Sequence, residues 1–216
     1  MVKMIYLYAT VITTIIFVIG IFTGFYVSRI KVRNVEKQLS TNEFEIESLD
    51  MEIDILKNLE SKSACDYLDK RLPKLASKKT ELANKFEEVN EEDAKNLEKE
   101  FTYSLVRYWL FMKIQGEKCN IDNPMVLFFH KRDGEQSRQQ GVVLDYWVYK
   151  LKETNESLSV FGFSTDLKEP LIDLLKNIYN VEKIPSIVIE GDTYPGLQDK
   201  GEVENLLCDH YNLTVC

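Results

Sequence analysis

Downstream of residue 124, short apolar runs alternate with amphipathic helical stretches, and this alternation narrows the folds open to the chain more than any other property. Residues 125–129 form a continuous apolar run set between Pro124 and a polar stretch from His130 to Gln136, the pattern of a strand buried on both faces. Residues 135–151 have helical periodicity and 158–163 are again strand-like. Residues 168–179 read as a helix with Leu171, Leu174, Leu175 and Ile178 facing inward. Residues 186–189 are the next strand, Glu190-Gly191-Asp192 a tight turn, Thr193 and Tyr194 its returning partner, and 200–208 a closing helix. The predicted order is β-α-β-α-β-β-α, an α/β fold.

The upstream half is of another kind. Residues 4–27 carry no charged side chain and are rich in Ile, Val, Phe and Thr, a run long enough as a helix to cross roughly 30 Å of hydrocarbon. No small-residue cleavage site follows it, so it reads as an uncleaved single-pass transmembrane anchor. Basic residues Arg29, Lys31, Arg33 and Lys37 behind it favour a cytoplasmic head by the positive-inside rule. Four cysteines, none in metal-ligand spacing, favour the extracytoplasmic side, and that side is the expectation taken here.

Residues 32–118 read as a helical stalk. Val35, Leu39, Asn42, Ile46, Leu49, Ile53 and Leu56 recur at spacings of four and three, the seam of a coiled coil with one polar break. Together with Gly20 and Gly24, one turn apart in the apolar run, the seam points to a homodimer, packing against helices of the same chain being the alternative. Helical periodicity continues over 61–116, with a break expected near Pro73 and a new start capped by Asn90. Leu97, Phe101, Leu105, Tyr108 and Met112 form an aromatic-rich stripe that reads as a packing face. The net charge of -8 excludes a nucleic-acid surface, which needs clustered Lys and Arg facing phosphate.

The strand-helix order, the segment Lys183-Ile184-Pro185-Ser186-Ile187-Val188-Ile189 and the tail Gly196-Leu197-Gln198-Asp199-Lys200-Gly201-Glu202-Val203 resemble the thioredoxin-like superfamily over residues 123–209, leaving 210–216 as a tail. The whole plan is similar to membrane-tethered thioredoxin-like proteins of prokaryotes, especially archaea: a thioredoxin-like α/β head, a helical stalk and one transmembrane helix. The resemblance implies a cis Ile184-Pro185 bond beside the active site, a role open to proline at the first residue of a strand. It also implies a Cys-x-x-Cys at the start of the first helix of the head, where helix-end amides stabilise a thiolate. Asp133-Gly134-Glu135-Gln136 stands there instead, with Asp133 and Gln136 at the cysteine positions, and Leu127 replaces the buried acid of many members.

Neither Asp133 nor Gln136 can attack a disulfide, so dithiol exchange at this place is excluded unless another cysteine reaches it. Cys65, Cys119, Cys208 and Cys216 allow three connectivities; Cys65 with Cys119 and Cys208 with Cys216 are the pairings their positions suggest. His130 beside Asp133 reads as a surface residue, His210 in the tail has no companions in metal spacing, and no metal or cofactor is expected. The expected function is capture of an extended client or partner protein in the groove formed by Asp133, Gly134, Gln136, Ile184 and Pro185, without catalysis. Two alternatives stand beside it: a thiol-disulfide oxidoreductase or isomerase using the displaced cysteines, and a dimeric scaffold of a membrane complex.

Overall fold

The computed structural model describes Phe17, residues 51–86 and residues 91–216. The chain divides into two compact units, residues 1–58 and 59–216. In the first, residues 51–58 are helical and carry Ile53 and Leu56 of the expected seam. Gly20, Gly24 and the seam residues from Val35 to Leu49 lie outside the described residues.

In the second unit the elements are α1 (Ser61–Lys85), α2 (Glu91–Cys119), β1 (Met125–His130), α3 (Glu135–Glu153), β2 (Ser159–Ser164), α4 (Pro170–Ile178), β3 (Ser186–Ile189), β4 (Asp192–Pro195) and α5 (Lys200–His210). Ala64, Leu68, Leu72, Leu75 and Leu82 line the buried face of α1 at helical spacing. The helix runs unbroken through Pro73, contrary to the expected break, because the apolar face on both sides of the proline is held against α2. Asn90, the expected cap, lies outside the described residues. A disulfide joins Cys65 at the start of α1 to Cys119 at the end of α2 and closes an antiparallel hairpin; a second joins Cys208 to Cys216.

The sheet is mixed and four-stranded, in the order β2-β1-β3-β4. β1 runs parallel to β2, from Met125 opposite Ser159 to His130 opposite Ser164, and antiparallel to β3 from Val126 opposite Ile189 to Phe129 opposite Ser186. Side-chain alternation splits β1 between two layers. Val126 and Phe128 join Ile187, Ile189, Leu144, Trp147 and Leu151 of α3, and Val203 and Leu207 of α5 in one core. Leu127 and Phe129 are buried on the other side, where Phe129 meets Phe163 and Tyr108 of α2 lies 5.8 Å from Phe161. The aromatic stripe of α2 is therefore divided: one flank serves α1 and another serves the sheet. α5 begins on a capping box, Asp199 accepting from the Glu202 amide while the Glu202 carboxylate accepts from the Asp199 amide.

The expected fold class requires correction in its membrane part. Among the described residues no helix is long and apolar enough to cross a membrane. The physical reason is charge: α1 alone carries Lys62, Asp66, Asp69, Lys70, Arg71 and Lys74 within its first fourteen residues, each costly in hydrocarbon. The described architecture is thus helices around a small mixed sheet, and the single-pass membrane placement with an extracytoplasmic head is set aside on that finding. Residues 4–27, which carried the expectation, lie outside the described residues.

Candidate functional site

β1 ends at His130, and the chain turns through Lys131, Arg132 and Asp133 into α3, whose N-cap is Gly134. No side chain caps that helix end. The first intrahelical acceptor is the Gly134 carbonyl, bonded by the Arg138 amide at 3.0 Å, so the preceding amides of the first turn face outward. Phe129 is paired with Ser186 across the sheet, which brings Ile184 and Pro185, immediately before β3, to the same end as this turn. The Ile184-Pro185 peptide bond is cis.

The expected site residues fall into two groups. Asp133 and Gln136 are exposed and Gly134 is half-buried, on the turn and first helical residues; Ile184 is half-buried and Pro185 buried. The sheet register brings the two groups to one end of the fold. Pro185 offers no side-chain surface to a ligand, and its carbonyl already accepts from the Gly196 amide at 2.7 Å. Gly196 holds a positive φ of 89° to make that bond, a conformation that favours glycine. Ile184, by contrast, has neither its amide nor its carbonyl paired among the described residues.

Residues that sequence reasoning passed over hold this end together. Ser137 is buried and its Oγ accepts from the Lys131 amide at 3.0 Å, closing the turn. A Cβ on Gly134 would stand 2.9 Å from that Oγ, so any side chain there must displace the hydroxyl that closes the turn. Arg132 is tied twice, its amide to Asp166 at 2.8 Å and its guanidinium to Glu98 of α2. Gln140 is fully buried and its Oε1 accepts from the Gln198 amide at 2.7 Å, linking α3 to the loop before α5. Burial holds the His130 imidazole below its usual pKa, against smaller upward pulls from the Lys131 backbone, Asp166 and Glu98.

No thiol belongs to this end. All four cysteines are in disulfides. Cys119 precedes β1, and Tyr211, three residues after Cys208, hydrogen-bonds to Met125 at the far end of that strand. β1 spans about 17 Å between those ends. The far end holds a cavity of about 390 Å³ lined by residues including Lys113, Glu117, Asp122, Glu190, His210 and Tyr211. There the Tyr211 hydroxyl donates to Glu190 at 2.5 Å and accepts from the Met125 amide at 3.1 Å. Among the described residues no group of three or more His, Cys, Asp or Glu side chains is arranged to hold a metal ion.

No family model matches the chain, and no curated protein matches it significantly. Among solved structures, one titled "Structure of a malarial protein" is similar at a TM-score of 0.35 and 12% identity, over 42% of this chain and 100% of that chain. A likeness at that TM-score carries no argument about fold or function.

Proposed function

We propose that this protein is a thioredoxin-like binding module without a dithiol, which captures extended polypeptide at the end of the sheet that Ile184 shares with the start of α3. The observation that carries the reading is the unpaired backbone of Ile184 among the described residues, a free amide and carbonyl directly before a strand. An extended segment lying there gains two main-chain hydrogen bonds, as in strand addition. The exposed Asp133 and Gln136 and the outward amides of the α3 first turn flank the segment with polar partners. The order β-α-β-α-β-β-α from β1 to α5 supports the likeness to the superfamily. Locking of every cysteine in a disulfide favours binding over thiol exchange.

The test uses the full chain and a permanently unfolded probe, a reduced and carboxymethylated model protein. Hydrogen exchange should show the Ile184 amide gaining protection on addition of the probe, and Ile184→Asp should weaken capture about tenfold or more while leaving the far-UV spectrum unchanged. Capture undiminished in Ile184→Asp, with no protection at residue 184 in the parent chain, refutes the reading.

A further inference from the structure

The two edges of the sheet are guarded differently. β4 carries Asp192 and Pro195, a charge and a residue with no amide hydrogen, both devices that prevent edge-to-edge pairing. β2 reads Ser159-Val160-Phe161-Gly162-Phe163-Ser164, with neither charge nor proline. The odd-numbered residues of β2 turn their backbone groups toward β1: the Ser159 amide donates to Pro124 and the Thr165 amide to His130. Val160, Gly162 and Ser164 therefore turn theirs outward, and among the described residues no hydrogen bond reaches them. Ser164 adds a buried hydroxyl without a partner among the described residues.

We infer that the β2 edge pairs antiparallel with the β2 edge of a second copy of this chain, joining two four-stranded sheets into one. The partner is argued from self-complementarity. Antiparallel pairing of identical strands about a twofold axis near Phe161 sets Val160 of one copy against Gly162 of the other, and the converse. Each pair exchanges two backbone hydrogen bonds through positions that are half-buried and open to approach, whereas Ser164 is buried. Gly162 presents no side chain to obstruct the approach, and an uncharged edge is matched without cost by another uncharged edge. A net charge of -8 on each copy opposes association, so the dimer strengthens as ionic strength rises.

The full chain is followed by residue-resolved hydrogen exchange and sedimentation velocity over a range of protein concentrations. Protection of the Val160 and Gly162 amides should rise at least about tenfold as the chain passes from monomer to dimer, and more readily at high salt. Gly162→Pro removes an amide that no described residue uses and should abolish the dimer; if that variant fails to fold, protection of the Val160 and Gly162 amides in the parent chain decides alone, because the Val160 side chain packs against the core and cannot be replaced by a charge. Protection absent at every concentration overturns the inference. So does protection independent of concentration, which would assign the edge to a segment of the same chain, and so does a dimer that forms with these amides unprotected.

Discussion

Removal of the Cys65–Cys119 disulfide should destabilise the second unit more than removal of Cys208–Cys216, and the difference follows from the lengths of chain they close. The first spans a sequence separation of 54 and the second a separation of 8. A cross-link restricts the unfolded chain in proportion to the logarithm of the loop, which gives about 4 kcal/mol for the longer loop and about 2.5 kcal/mol for the shorter. At about 2–4 °C per kcal/mol for a unit of this size, the Cys65→Ala/Cys119→Ala pair should lower Tm by about 8–16 °C and the Cys208→Ala/Cys216→Ala pair by about 5–10 °C. The assay is thermal unfolding of the full chain followed by far-UV circular dichroism, with the parent and both double variants in the same buffer. An equal effect of the two pairs, or a larger effect of the Cys208–Cys216 pair, refutes the loop-length reasoning and would place the stabilisation in native contacts around the sulfurs instead.

Two further outcomes are expected. Gly134→Ala pushes a methyl group against Ser137 Oγ and displaces it from the Lys131 amide, which should cost about 1–3 kcal/mol in urea unfolding; in the Gly134→Ala/Ser137→Ala pair the two costs should be less than additive. Tyr211 has its pKa raised above the ordinary value of 10.0, first by burial and then by its hydrogen bond to Glu190. A raised folded-state pKa contributes stability that is complete below the unfolded value and lost as pH rises through the folded one, so stability should fall above about pH 10. Tyr211→Phe should flatten that alkaline slope, measured by urea midpoints across the range.

Elements marked by local pattern were legible in the sequence. The reading of residues 186–189 as a strand coincides with β3, because Pro185 and the Glu190-Gly191 turn bound an apolar run on both sides. The reading of α4 failed at two of its four inward positions: Leu175 is buried and Leu171 half-buried as read, but Leu174 and Ile178 are 53% and 57% exposed, and the buried Ile172 was missed. A nine-residue helix with apolar residues on two flanks gives periodicity too little length to choose between them. In α2 the inward stripe was recognised but the buried Trp109, Phe111 and Ile114 beside it were not, since only a helix packed on two sides needs both.

At the candidate site the position of the turn was readable and its supports were not. Arg132 meets partners 34 residues away in both directions along the chain, and Gln140 meets a partner 58 residues away. Contacts of that range leave no trace in local spacing. Gly134 was read as a residue of the groove, yet the close approach that favours glycine there depends on the hydroxyl of Ser137, two positions beyond the glycine's next neighbour.

The hairpin staple also decides how the second unit bears load. Cys65 lies near the start of α1, and Cys119 lies just before β1, so the disulfide offers a covalent short circuit between the entry of the unit and its sheet. Tension applied at Leu59 passes through the sulfurs and reaches β1 without first pulling α1 from α2. The residues between the two cysteines stay slack, and the helical hairpin rides beside the line of force as a shielded loop.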